Sequence, residues 1–301
     1  MRLLLPLFLL LATLGAREAS YLVGFAQDTM ANDWRVAQVH QLRDELAADE
    51  EIEFIYKDGD GSLALSMQNV DDFVAMGVDV LVASPIDTVG MRSVLERAYH
   101  EGIAVVLLTR QVAGDSYTTF IRPDDRKIGA EAAAFISREL GGQGRVLMLQ
   151  GLPTASTAID RSEGFLRALR SEPDLHLAGI EVGNYLRADA IRAMERVIAA
   201  GTEFDAIFAQ SDSMAIGAIM ALEKAGIDPA SKVIVGVDYI SQARELIASG
   251  KLRATYLYPT AAKEGAQAVR QILAGESVEK DQVLPTVRIT KENLDKVEPI
   301  F

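Results

Sequence analysis

From Tyr21 onward, short apolar runs alternate with longer segments whose apolar residues recur at helical spacing. No other feature limits the possible folds so tightly. The runs lie at residues 21–26, 53–56, 78–83, 103–108, 145–149, 204–209, 232–237 and 254–257. Several are apolar throughout rather than at every second position, as in 103–108 (IAVVLL). Strands covered by helices on both faces have this pattern. Between the runs, spacing predicts helices over 34–48, 62–76, 88–100, 125–140, 156–170, 187–200 and 212–224. In the first of these, Val36, Val39, Leu42 and Leu46 form one apolar stripe. Strand–helix alternation of this kind implies an α/β fold with mostly parallel sheets. Four such units occupy residues 21–108, and the pattern restarts after Ile121-Arg122-Pro123-Asp124 for a second set over 145–237. A single open sheet of all these strands would be unusually wide, so two doubly wound parallel-sheet domains are expected. The 301 residues suit two domains of about 150 each. No Gly/Ser linker separates the sets, which predicts that the chain crosses between them through strand-like segments.

Composition removes whole classes of function. Asp and Glu outnumber Lys and Arg 43 to 30, for a net charge of −13. Such a surface repels phosphate backbones, so nucleic acid is not expected as a partner. Cysteine is absent, which excludes disulfides, thiolate metal ligands and cysteine nucleophiles. His40, His100 and His176 are scattered and have no neighbour at metal-ligand spacing, so no metal site and no cofactor are expected. Asp58-Gly59-Asp60-Gly61 has the composition of a calcium loop but lacks the closing glutamate, and reads as a tight turn. At the amino terminus, Met1-Arg2 precedes an uncharged, leucine-rich stretch from Leu3 to Gly15. That is too short to span a bilayer and reads as a secretory signal peptide, residues 1–16, with cleavage after Ala16 or Ala19. With no cysteine for a lipid anchor, a periplasmic, soluble protein is the expectation.

In open α/β sheets, ligands bind beyond the carboxyl ends of the strands. The residues that follow the runs are polar: Gln27 and Asp28, Ser84, Thr109 and Arg110, Gln150, Gln210 to Asp212, and Asp238. Facing ends of two lobes would make a cleft rich in hydrogen-bonding groups. Asp212 is equally suited to cap a helix or to meet a ligand, and Ser156 and Thr157 read as caps. Trp34, the only tryptophan, lies just past the first strand beside Arg35. Arg110 and Arg161 would be costly to bury without partners.

Five segments occur in an order resembling periplasmic sugar-binding proteins of the ribose-binding type: QDTMANDWR (27–35), LTR (108–110), AIDRSEGF (158–165), QSDSMAIGA (210–218) and GVD (236–238). The Trp-Arg pair and the Ala-Ile-Asp-Arg run are most similar to the galactofuranose-binding members. The resemblance covers residues 21–301. It implies a type I periplasmic binding protein fold: two lobes joined by three crossovers, near Arg122, Arg253 and Pro285-Thr286, closing on a ligand by hinge bending. The lobes would be 21–121 plus 254–284, and 122–253 plus 285–301. It also implies an aromatic wall at Trp34 and a second at Tyr185, hydrogen-bonding arginines at Arg35, Arg110 and Arg161, and a hydroxyl acceptor at Asp238. Asn32, Asp160 and Tyr258 are further candidates. Thr109 and Ser211 stand where the family commonly has Asp and Asn, and keep only a hydroxyl there.

The implied role is a monomeric solute-binding protein that takes a sugar or another polyhydroxylated small molecule to a membrane ABC permease, or reports it to a sensor kinase or chemoreceptor. Three arginines against one carboxylate leave room for an anionic ligand. A sugar-responsive repressor shares the fold but needs a DNA-binding segment before Tyr21. A glycoside-cleaving enzyme needs a carboxylate pair, for which Asp160 and Asp238 are the candidates. Neither is the expected function.

Overall fold

A computed structural model describes residues 21–301; the expected signal peptide lies outside the described residues. In chain order the first half comprises β1 (Tyr21–Gln27), α1 (Asp33–Leu46), β2 (Ile52–Asp58), α2 (Leu63–Met76), β3 (Val80–Ser84), α3 (Arg92–His100), β4 (Ala104–Leu108) and β5 (Thr119–Pro123). There follow α4 (Asp125–Glu139), β6 (Gln143–Gln150), α5 (Ser156–Leu169), β7 (Asp174–Val182), α6 (Arg187–Ala199), β8 (Ala206–Ala209), α7 (Asp212–Lys224), β9 (Val233–Val235) and α8 (Ser241–Ala248). The chain ends with β10 (Thr255–Tyr256), α9 (Ala262–Leu273), β11 (Asp281–Leu284) and β12 (Arg288–Ile289).

Two parallel sheets result. The first has the order β11-β5-β4-β3-β1-β2, the second β7-β6-β8-β9. Parallel bridges Val235–Ala254 and Asp238–Leu257 extend the second sheet, and β10 pairs antiparallel with β12. In each sheet the winding direction reverses beside the first strand, between β1 and β3 and between β6 and β8. Crevices for ligands open at these reversal points.

The continuous apolar runs are explained by packing on both faces. Leu81, Ala83, Val105 and Leu107 point to one side and meet Val70 and Phe73 of α2 and Leu95 and Ala98 of α3. Val80, Val82, Val106 and Leu108 point to the other and meet Val39, Leu42 and Leu46 of α1 with Ala266 and Val269 of α9. The second sheet repeats this: Leu147 and Leu149 pack under α6 and α7, Val146 and Met148 under α4 and α5. Gly77 ends α2 with φ 70°, its N–H returning to the Phe73 carbonyl, a left-handed cap that a side chain would strain.

The chain passes between the sheets after β5, between Tyr258 and Ala261, and after β11. Residues 254–257 lie beside β9, and Ala254, Tyr256 and Tyr258 pack in the second lobe's core. The expected lobe boundary at 253/254 is therefore displaced to beyond Tyr258. An apolar run reveals that it is a buried strand, not which of two sheets it joins.

Candidate functional site

The carboxyl ends of both sheets face each other, and a cavity of about 310 Å³ lies between them. Asn32, Trp34 and Arg35 come from the turn after β1 and the start of α1; Thr157 and Arg161 come from α5. Tyr185, Ser211, Asp238 and Tyr258 follow β7, β8, β9 and β10. Asn32 starts α1 as its cap, its Oδ1 accepting from the Arg35 N–H at 2.8 Å, which turns the next two side chains into the cleft.

Trp34 is buried, its indole N–H donating to the Tyr258 carbonyl at 3.2 Å, with the two rings tilted at 5.7 Å. The Arg35 guanidinium lies 4.9 Å from the Trp34 ring and donates to Gln38 Oε1 at 3.0 Å and Ser84 Oγ at 2.9 Å. Burial, together with Arg110 nearby, lowers its pKa to about 10, so it remains a cation at neutral pH. Arg161 donates from Nε to Asp125 Oδ1 at 2.7 Å and from Nη1 to the Gln210 carbonyl, and lies 4.4 Å from the Tyr258 ring. Burial works against its charge, but Asp125 and the surrounding tyrosines and Asp238 more than offset this and raise its pKa. Asp125 also accepts from the Tyr258 hydroxyl at 3.1 Å. Burial pushes Asp125 up to about 6 despite the pull of Arg161.

Backbone close approaches set these positions. A Cβ at Gly129 would lie 2.1 Å from the Arg161 carbonyl, and one at Gly164 would lie 2.0 Å from the Arg126 carbonyl. The two glycines thus let α4 and α5 touch, which brings Asp125 to Arg161. Tyr185 sits in a loop where both Asn184 (φ 51°) and Tyr185 (φ 63°) are left-handed. Its hydroxyl is 2.9 Å from Thr157 Oγ1, and its ring lies where a Cβ on Gly151 would fall, 2.0 Å from Cζ. Asp238 has φ 129°, and burial followed by the charge of Asp212 raises its pKa well above the ordinary carboxylate range, against the pull of Arg161.

Eight of the eleven residues expected from the sequence therefore line this cavity, and three do not. Thr109 is buried below it, its hydroxyl 3.4 Å from Arg35 Nη1 and 3.5 Å from Gln38 Nε2. Arg110 lines an adjoining cavity and pairs with Asp28 at 2.6 Å. Asp160 is a correction: it sits on the outer face of α5, bonded to Arg126 at 2.9 Å. The helix turns it away from Arg161, so Asp160 and Asp238 do not form a carboxylate pair across a ligand.

Three further expectations change. Ala155, not Ser156 or Thr157, caps α5; the Ser156 hydroxyl accepts from the Gln111 N–H at 2.8 Å, and Thr157 enters the cavity wall. Asp212 neither caps a helix nor lines the cavity, because Ser211 caps α7. Its carboxylate accepts from Tyr239 N at 2.7 Å and Thr255 Oγ1 at 2.7 Å, holding the turn that carries Asp238. Asp125 and Asp28, absent from the expected set, supply the carboxylates that the arginines need. The adjacent pair Asp124-Asp125 was a usable signal: Asp124 caps α4, and one cap suffices, leaving the second acid to another role.

The lobes are closed on one another. Asn32 Nδ2 donates to the Tyr185 carbonyl at 3.4 Å, Thr88 N to the Thr154 carbonyl at 3.0 Å, and Thr154 Oγ1 to the Ile86 carbonyl at 3.0 Å. Trp34, Arg161, Tyr185, Asp238 and Tyr258 are each 7 % exposed or less, so a molecule enters only when the lobes part. Among the described residues no group of three or more His, Asp or Glu could hold a metal ion, and no helix is long and apolar enough to cross a membrane.

A family model described as a periplasmic binding protein domain matches residues 23–277. The galactofuranose-binding protein YtfQ of Escherichia coli is 29% identical over 289 residues, covering 93% of this chain and 89% of its own. A xylitol-binding protein of Mycolicibacterium smegmatis is 27% identical over 247 residues, covering 81% and 70%. Among solved structures, the fructose-binding periplasmic domain of a hybrid two-component system has a TM-score of 0.88 at 27% identity, covering 92% of each chain. A galactofuranose-binding protein has a TM-score of 0.87 at 26% identity, covering 92% of this chain and 96% of its own. With the family match spanning most of its length and the same winding in both sheets, the chain belongs to the periplasmic binding protein family and has the type I periplasmic binding protein fold.

Proposed function

We propose that this protein is an exported solute-binding protein that captures a sugar or related polyhydroxylated small molecule between its lobes and delivers it to an ABC importer. The carrying observation is the closed cavity whose wall combines aromatic rings with charged, fixed hydrogen-bonding groups. Trp34 and Tyr258 offer faces for C–H groups; Arg35, Arg161 and Asp238 meet a rim of hydroxyls. Hydrogen bonds to charged groups contribute about 1.5–3 kcal/mol each. A few of them, in a site that excludes water, reach the roughly 8 kcal/mol of micromolar binding. The ligand is neutral: Asp28 faces both Arg35 and Arg110, and Asp125 faces Arg161, so each cation already has an acid beside it. Relatives named for galactofuranose and xylitol support this ligand class.

A second reading, a periplasmic sensor domain acting on a histidine kinase, is favoured by the likeness to the fructose-binding domain of a hybrid two-component system. The site gives a glycoside-cleaving carboxylate pair no support, since Asp238 is the one acid in the cavity wall and Asp160 lies on the outer face of α5. The test is native mass spectrometry of freshly purified protein, followed by thermal-shift and calorimetric screening of sugars, polyols and sugar acids. Micromolar or tighter binding of one molecule per chain is expected from a neutral sugar or polyol. Co-purification of an unrelated ligand class, with no sugar or polyol bound, would overturn the reading.

A further inference from the structure

A second, larger cavity of about 660 Å³ lies beside the first, between the same lobes. Asn32 and Tyr185 line both and form the wall that divides them. The wall is thin. Its closing contact, Asn32 Nδ2 to the Tyr185 carbonyl, is long at 3.4 Å, while Asn32 holds α1 through its other amide atom. The amide nitrogen can therefore leave Tyr185 without disturbing the helix.

On the far side are Asp28 and Arg110, each side chain 2 % exposed and paired at 2.6 Å. Both retain an unsatisfied atom. Asp28 Oδ1 is 3.2 Å from Arg35 Nε but misaligned for a hydrogen bond, and Arg110 Nε has no partner. Buried polar atoms left unmet are costly, and both are sealed from the cavity as the pair now sits, so a small outward shift of the Asp28–Arg110 pair would let a ligand's hydroxyls meet them. Ile86 and Leu152 supply an apolar wall opposite. This mixture repeats the logic of the first cavity, which is suited to a hydroxylated ring.

We infer that the second cavity is a subsite for a second hydroxylated ring joined to the first, so that the ligand is a two-unit glycoside. This rests on the proposed sugar-binding function. The first ring lies against Trp34, Arg161 and Asp238. The linking oxygen passes Tyr185 and takes the Asn32 Nδ2 hydrogen bond, and the second ring meets Asp28 and Arg110.

Calorimetry on the full chain with matched probes tests this: D-fructose against sucrose, D-galactose against melibiose, and myo-inositol against galactinol. The blocking variant is Leu152→Trp, which fills the second cavity and leaves the first untouched; Thr29→Trp, in the loop after β1, is a second blocker should Leu152→Trp fold poorly. The expected result is a two-unit probe bound at least tenfold more tightly than its one-ring half. The blocker then reduces that affinity to the one-ring value and leaves one-ring binding unchanged. One-ring binding without any gain from the second unit, or a gain that survives both blockers, overturns this inference and leaves the proposed function standing. Binding of neither member of any pair overturns this inference, and the proposed function falls with it only when the wider screen also finds no sugar or polyol bound.

Discussion

Gly151→Ala tests how the site is assembled without replacing any residue that lines the cavity. The added methyl would lie 2.0 Å from Cζ and 2.4 Å from Cε1 and Cε2 of Tyr185. Ordinary carbon contacts are near 3.5 Å, so the ring must retreat by roughly 1.5 Å. It has little room to do so: the ring is 7 % exposed, its hydroxyl is tied to Thr157, and its backbone is already left-handed. Overpacking of this kind costs about 1–3 kcal/mol. For a chain of this size each kcal/mol lowers Tm by roughly 2–4 °C. Because Tyr185 also stands beside the Arg110 and Arg161 guanidinium groups, its displacement should raise Kd at least tenfold. Thermal unfolding and calorimetry with the ligand found by screening read both effects. The double variant Gly151→Ala/Tyr185→Leu should recover most of the Tm but not the affinity. Wild-type Tm and wild-type affinity in Gly151→Ala would refute the reasoning.

Other perturbations have equally definite outcomes. Arg161→Met removes a cation whose partner Asp125 is buried, and leaving one half of a buried pair costs about 3–5 kcal/mol; urea unfolding should show that loss, and ligand binding should disappear by calorimetry. Asp238→Asn keeps the shape but exchanges an acceptor oxygen for an amide nitrogen, so Kd should rise between about tenfold and a hundredfold. Asp125 has a folded pKa of about 6, above its ordinary value near 4, so it favours folding most strongly in acid. Its contribution is intact below about pH 4 and is lost as pH rises through 6, by ~3 kcal/mol at 1.36 kcal/mol per unit; Asp125→Asn should flatten that part of the stability–pH curve measured by urea unfolding. Asp160→Ala should leave affinity unchanged within calorimetric error, because Asp160 faces Arg126 and solvent.

Much of the architecture was legible because central strands of a parallel sheet must be apolar on both faces. β3 and β4 are buried along nearly their whole length; β4 falls within its apolar run and β3 extends one residue past its own. The same criterion passes over β7, whose sequence DLHLAGIEV alternates and leaves Leu177, Ile180 and Val182 exposed at a sheet edge. It also passes over β11, four residues at the opposite edge of the first sheet. Trp34, Arg35, Ser211 and Asp238 were legible because they follow strands at the ends that face the cleft, whereas Asn32, Arg161, Tyr185 and Tyr258 were implied by the family resemblance. Thr157 was not legible, since a hydroxyl in the first turn of a helix has the same sequence signature whether it caps or lines a cavity. Asp160 misled for a related reason: it neighbours Arg161 in sequence, but adjacent residues on a helix point about 100° apart. Asp28 pairs with Arg110 and Asp125 with Arg161, partners far off in the chain, and such pairings are fixed by tertiary packing.

Closure on a ligand is the central claim, and an interlobe distance measures it most directly. The chain has no cysteine, so spin labels on Val89→Cys and Ile159→Cys go only to those two exposed positions, one on each lobe. Closure driven by ligand is a shift of population toward the form the ligand prefers. Adding the sugar or polyol selected by screening should turn a broad distance distribution into a narrow, shorter one, and Arg161→Met should abolish the change. A distribution that stays the same at saturating ligand would contradict the account.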